Sequence, residues 1–156
     1  MNNQSELIYR KAVIPDAKKM QTIINQHAGN DEMLPRSLNH IYENIRDFIV
    51  CEIDGEVRGC CALHVMWEDL AEIKSVAIEK QYQGLRIGTE LVNRSLEEAR
   101  NLGLPKVFLL TYKPDFFKKF GFEIVDKNSL PHKVWTECIN CPKFPDCGET
   151  AMSMKI

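Results

Sequence analysis

Side chains from Leu70 to Ile78 alternate: Leu70, Glu72, Lys74, Val76 and Ile78 on one side, Ala71, Ile73, Ser75 and Ala77 on the other. That is the period-two pattern of a strand, and the apolar residues on both sides predict a strand covered on both faces. Two charges in such a run need a reason. Further on the period changes, because Leu91, Val92, Leu96, Ala99 and Leu102 fall at helical spacing with charges between them. Asn101 and Gly103 supply the stop signal. Between the two patterns lies Gln83-Gly84-Leu85-Arg86-Ile87-Gly88-Thr89. A glycine-bearing turn that hands a strand to a helix N-terminus leaves backbone N–H groups unpaired at the positive end of the helix dipole. Such an end is a seat for phosphate.

The rest of the chain alternates in the same way. Residues 7–12 read as a strand, and 15–27 as a helix with Ala17, Met20, Ile23, Ile24 and Ala28 on one face. A polar stretch, 29–36, leads to Ser37, which is placed to cap a helix over 37–45. Residues 48–53 and 57–66 read as strands joined by Asp54-Gly55, a strong hairpin signal. After the helix come a buried strand at 106–111, a helix at 114–120, a strand at 122–125 and a last strand at 151–156. Hairpin strands first and a strand-helix-strand crossover later predict an α/β (α+β) fold, a mixed sheet with helices on both faces.

Length and charge narrow the function. A chain of 156 residues is about one domain. Twenty basic and 22 acidic residues are interspersed, for a net charge of -2, so there is no basic field for nucleic acid and no acidic tail. The first residues lack the apolar core of a signal peptide, and no run approaches the roughly 20 apolar residues of a membrane span. A cytoplasmic protein with a small-molecule partner is expected, and the free edge of an open sheet makes a homodimer reasonable.

The order of elements, the strand end Val76-Ala77-Ile78, the Gln83 to Gly88 turn and the segment Phe116-Phe117-Lys118-Lys119-Phe120-Gly121-Phe122 resemble a GCN5-related N-acetyltransferase (GNAT) over nearly the whole chain. The resemblance implies the GNAT fold, with a mostly antiparallel central sheet, in a single domain over 1–156. It also implies acetyl-CoA at the turn. The family's usual turn is Arg or Gln, two residues, Gly, one residue, then Gly or Ala. Here Gln83 and Gly88 fit, and Arg86 stands at the middle glycine. Arg86 reads either as an added charge-assisted contact to phosphate or as a solvated side chain.

A narrower likeness appears in several places at once. Met33-Leu34-Pro35-Arg36-Ser37, Gly59-Cys60-Cys61-Ala62-Leu63, Ala71-Glu72-Ile73, and Leu110-Thr111 with Phe116-Phe117 and Gly121-Phe122 are similar to the acetyltransferase domain of N-acetylglutamate synthases. Val125-Asp126 and Leu130-Pro131 extend it. What that family implies is acetyl transfer from acetyl-CoA to the α-amino group of L-glutamate, a step of arginine biosynthesis. Usual members carry an amino-acid kinase domain ahead of this one, and here Met1 lies only a few residues before the first strand, so a stand-alone form without arginine feedback in cis is expected.

The chemistry then assigns roles. An ammonium must lose a proton before it attacks a thioester. Glu72, an acid in an apolar strand, is the candidate general base, against the plainer reading of a strand Glu paired with a neighbouring cation. By the resemblance, backbone N–H groups around Val76, Ala77 and Ile78 hold the pantetheine arm, and Gln83, Gly84, Leu85, Arg86, Ile87, Gly88 and Thr89 hold the pyrophosphate. Glutamate carries two carboxylates, which call for Arg or Lys. Arg36, Lys74 and Lys113 are the candidates, and Tyr112 stands where related synthases carry Arg. Phe117 occupies a cofactor-side position at which many members use Tyr to protonate the leaving thiolate; it cannot do so, which leaves Tyr112 or solvent. If Tyr112 redirects the acceptor pocket, another small amine or amino acid is the substrate. A non-catalytic acyl-CoA or metal-binding module is the reading from a different class.

One feature lies outside the family pattern. Cys138, Cys141 and Cys147 fall within ten positions, inside an irregular segment, 132–148, that also carries His132. Structural zinc, free thiols and a redox pair are all open, and zinc would draw a fourth ligand from His132, Asp146, Cys60 or Cys61. Cys51, Cys60 and Cys61 read as strand-borne core residues, as do Met20, Met33 and Met66 in the core. His27, His40 and His64 share no spacing that suggests a site. Trp67 and Trp135 read as packing residues, with lining of the acceptor pocket as the other reading.

Overall fold

The computed structural model describes residues 6–29, 35–130 and 148–156. Strand β1 (Leu7–Lys11) is followed by a 3-10 turn at Ile14–Asp16 and helix α1 (Ala17–Ala28). Met20, Ile23 and Ile24 of α1 are fully buried, as their spacing predicts. Helix α2 (Leu38–Glu43) opens on Ser37, whose Oγ accepts a hydrogen bond from the His40 N–H at 3.0 Å. A 3-10 turn at Ile45–Asp47 then replaces the predicted last turn of that helix.

Strands β2 (Phe48–Ile53) and β3 (Glu56–Trp67) form the expected hairpin on Asp54-Gly55. Both turn residues have positive φ, 53° and 84°, as a primed turn requires. Next come β4 (Leu70–Ile78), a 3-10 turn at Lys80–Tyr82 and helix α3 (Ile87–Asn101). Helix α3 ends in a Schellman motif: Gly103 (φ 84°) donates to the Arg100 carbonyl and Leu104 to that of Ala99. The motif corrects one expectation. Leu102, placed on the apolar face by its spacing, is 59% exposed, and Leu104 is the buried anchor instead. The chain closes with β5 (Lys106–Thr111), the short helix α4 (Pro114–Lys118), β6 (Glu123–Ile124), shorter than predicted, and β7 (Thr150–Lys155).

The seven strands make one sheet in the order β1-β2-β3-β4-β5-β7-β6, antiparallel except between β4 and β5. One face packs on α3 and α4 through Ile73, Leu91, Val92, Leu96, Leu109 and Phe117. The other packs on α1 and α2 through Met20, Ile24, Ile41, Phe48 and Val50. Helices on both faces of a mostly antiparallel sheet are the predicted layers. Cys51, Cys60 and Cys61 are buried in strands, and burial pushes the Cys61 thiol up to about 12, which keeps it protonated beside Ser95 Oγ at 3.2 Å. Trp67, by contrast, is 56% exposed and does not pack in the core. No described helix is long and apolar enough to cross a membrane.

Candidate active site

β4 and β5 are in register at Ala71 with Val107 and Glu72 with Phe108, and at no later pair. β4 meanwhile follows β3 to its end, from Leu70 opposite Trp67 to Ile78 opposite Gly59. Two strands that start together and part leave a wedge between them. Along it, residues 73–78 have no strand partner on the β5 side among the described residues, and this backbone edge is where an extended molecule could pair.

Ser75 shapes the wedge. Its φ is 56°, and the β3 register runs from Ala62 opposite Lys74 to Cys60 opposite Ala77, so Ser75 and Val76 share one opposing residue, Cys61. This is a β-bulge, and it shifts the alternation by one residue. Val76 and Ile78 therefore pack on the α3 face with Ala71 and Ile73, while Ala77 packs on the α1 face. The unbroken alternation read from the sequence is corrected here. Side-chain type carries no mark of the bulge.

The end of β4 is tied down by its last carbonyl. Ile78 O accepts from His27 Nε2 at 2.8 Å and from Gln83 Nε2 at 3.3 Å. Beyond it, Gly84 (φ 86°) and Arg86 (φ 62°) turn the chain into α3 through left-handed backbone. Arg86 thus holds a left-handed backbone of the kind that favours glycine, at a cost of roughly 1–2 kcal/mol. The first helical bond runs from Glu90 N to Arg86 O at 3.1 Å, and no side chain caps the helix. The N–H groups of Ile87, Gly88 and Thr89 need acceptors from outside the helix, which is what an anion supplies. Phe116 lies against this turn: a Cβ on Gly88 would meet its Cζ at 3.5 Å, an ordinary packing contact. Lys119 adds a cation to this turn: its Nζ donates to Thr89 Oγ1 at 2.8 Å and lies 4.3 Å from the centre of the Phe116 ring. Phe117 is buried and packs edge-on against Phe122. Phe116, which the sequence did not mark as a site residue, is the phenylalanine that lies against the turn. Two adjacent phenylalanines can be told apart only by packing.

Glu72 is 9% exposed, on the last β4 residue still paired with β5. Across β3 it stands opposite His64, whose Nδ1 donates to Asp47 Oδ2 at 2.6 Å. Lys74, half-buried, stands opposite Ala62. Arg36 is half-buried on the segment before α2, and α1 clamps its backbone: Arg36 N donates to Asn25 Oδ1 at 3.0 Å, and Arg36 O accepts from Asn25 Nδ2 at 3.4 Å and Gln21 Nε2 at 3.3 Å. Tyr112, half-buried, and Lys113, exposed, follow directly on β5 at the other lip of the wedge. The Lys113 N–H is held by Thr111 Oγ1 at 2.9 Å. His64, Asp47, Asn25 and Gln21 were missed because only the strand register and the α1 contact bring them to the site. Cys138, Cys141, Cys147 and His132 lie outside the described residues. Among the described residues no three metal-binding side chains cluster.

A wedge beside a buried carboxylate, leading to an uncapped helix start, fits an extended thioester with a phosphate-bearing tail. Residues 14–122 match the acetyltransferase (GNAT) family. The chain belongs to that family. It is 39% identical to an uncharacterized N-acetyltransferase of Chlorobaculum tepidum over 92% of each chain. It is 35% identical to an amino-acid acetyltransferase of Mycobacterium tuberculosis, over 83% of this chain and 76% of that one. A Mycobacterium tuberculosis structure in complex with CoA and NLQ superimposes with a TM-score of 0.83 at 31% identity, over 96% of this chain and 99% of that one. The chain is therefore an acetyl-CoA-dependent GNAT acetyltransferase with the GNAT fold, related to the amino-acid acetyltransferases.

Proposed function

We propose that this GNAT acetyltransferase acetylates the α-amino group of L-glutamate, as an N-acetylglutamate synthase of arginine biosynthesis, with Glu72 as general base. The observation that carries the reading is a buried carboxylate where β4 and β5 part. A carboxylate there is at the mouth of the wedge, close enough to the open backbone edge to take a proton, directly or through one water, from an amine approaching the thioester. Beyond the bulge at Ser75, the N–H groups of Val76 and Ile78 would hold the pantetheine and position the thioester carbonyl. Gln83 to Thr89 would take the pyrophosphate on main-chain N–H groups. Arg36, Lys74 and Lys113 would meet the acceptor's carboxylates, and Tyr112 or water would return a proton to the leaving sulfur. In this reading residues 1–156 form one domain working in the cytoplasm.

A second acceptor is favoured by one residue. Tyr112, where the resemblance leads one to expect Arg, removes a bidentate carboxylate partner and opens the pocket to another small amino acid. Thiol release from acetyl-CoA, measured against a panel of amino acids, tests both. Glutamate is expected to give the highest kcat/KM. Equal rates with other amino acids would sink glutamate specificity.

A further inference from the structure

We propose that His64, oriented by Asp47, carries away the proton that Glu72 takes from the acceptor amine. This rests on Glu72 being the base.

An α-ammonium acceptor has two protons to lose in each turnover. One is lost before attack and the other after the new N–C bond forms; the second ends on the sulfur of CoA, so the first must leave the site for the solvent. Glu72 is poorly placed to deliver it, being 9% exposed. The neighbouring strand supplies a group that is better placed. His64 and Glu72 are direct partners in the β3-β4 register, which puts their side chains on one face with Cβ atoms about 5 Å apart. The His64 side chain is 33% exposed. A carboxylate only accepts hydrogen bonds, so the 2.6 Å contact with Asp47 places a proton on Nδ1, and in the neutral ring the lone pair is then on Nε2.

The steps balance. The amine N–H breaks and a Glu72 O–H forms; that O–H breaks as an N–H forms on His64 Nε2; water then takes the proton and restores the neutral ring. While it carries the proton, the imidazolium faces the Asp47 carboxylate, which stabilises it. Two cations lie close along the chain to these groups: Lys74, two residues beyond Glu72 on β4, and Arg46, next to Asp47 on its turn. Both favour departure of the proton toward solvent. His64 acts through Glu72 and is a positioning and relay group.

The test compares His64→Ala, Asp47→Asn and Glu72→Gln in the whole protein. His64→Ala is expected to lose about 10-fold or more in kcat, with the acetyl-CoA KM unchanged, and to regain rate in millimolar imidazole. Asp47→Asn should lose less. Wild-type kcat in His64→Ala, or a loss that imidazole does not restore, overturns the relay. If His64→Ala does not fold, His64→Gln carries the test through its pH profile, which should show one proton dependence fewer on the acid side; an unchanged profile overturns the proposal. Full turnover in Glu72→Gln would remove the base reading itself. An inactive Glu72→Gln beside a fully active His64→Ala removes the relay alone.

Discussion

On its β3 edge β4 is in register from Leu70 to Ile78, whereas on its β5 edge the register stops at Glu72. The difference arises on both sides of the wedge. β1 to β4 form one continuously paired arm, and β5 pairs along its whole length with β7, from Lys106 with Lys155 to Thr111 with Thr150. Each arm satisfies its own backbone, so the two can meet at two residues and part. One strand therefore serves as scaffold on one edge and as a preformed opening on the other. A site between two rigid arms is held in shape by packing outside the site.

The largest expected effect comes from the point where the two edges meet. Glu72→Gln keeps the shape and removes the proposed base, so kcat should fall about 10²–10⁴-fold with the acetyl-CoA KM unchanged. Steady-state kinetics of the purified variant decides it. A variant that kept its kcat would leave the mouth of the wedge without a chemical role.

Next comes a pair of truncations along the same strand. Ile73 is 2% exposed in the α3-side core, so Ile73→Ala should cost about 2–5 kcal/mol in urea unfolding. Val76 is half-buried beside the wedge, and Val76→Ala should cost under about 2 kcal/mol while raising the acetyl-CoA KM. Equal stability losses would break the contrast between closed and open edges.

How far this contrast is legible in the sequence depends on what each part is made of. The extents of β2, β4, β5 and α3 follow from apolar period and turn chemistry, and β2 and α3 stop at residues that announce it, Asp54-Gly55 and Gly103. Glu72 is legible for the same reason, as a charge where the period calls for an apolar residue. The bulge at Ser75 is not, because a left-handed serine looks like any other serine in sequence. The parting of β4 from β5 is set by pairing to β7, far along the chain. His64 and Asn25 matter through register and contact, so their spacing is silent.

The closed arm also predicts a pH dependence. Arg10 Nη1 and Nη2 donate to the two carboxylate oxygens of Asp16 at 2.7 and 2.9 Å, and the Val13 N–H adds a third bond at 2.8 Å. Arg10 first, then the Val13 bond, hold the Asp16 carboxyl below the usual range in spite of its burial. A carboxyl whose folded pKa lies below its unfolded value of about 3.9 contributes stability that is present above that value. The contribution disappears as pH falls through the folded value. Asp16→Asn should therefore cost about 1–3 kcal/mol at pH 7 and show a flatter loss of Tm than the wild type on acidification below about pH 4. Turnover at pH 7 should not change, because the pair belongs to the closed arm. A parallel Tm curve would mean that Asp16 titrates alike in folded and unfolded chains.

The smallest effect separates two roles of one residue at the far end of the open edge. Arg86 holds a left-handed backbone and carries a charge at the start of α3. Arg86→Gly removes both the charge and the strain, and Arg86→Ala removes only the charge. Glycine should gain about 1 kcal/mol over alanine here, less a part for its freer unfolded chain. If the guanidinium meets phosphate, both variants raise the acetyl-CoA KM by a similar factor, about 10-fold or less, and the wild-type KM rises with salt more steeply than theirs. If it is only solvated, Arg86→Gly keeps the wild-type KM and gains stability. The turn would then bind through backbone alone.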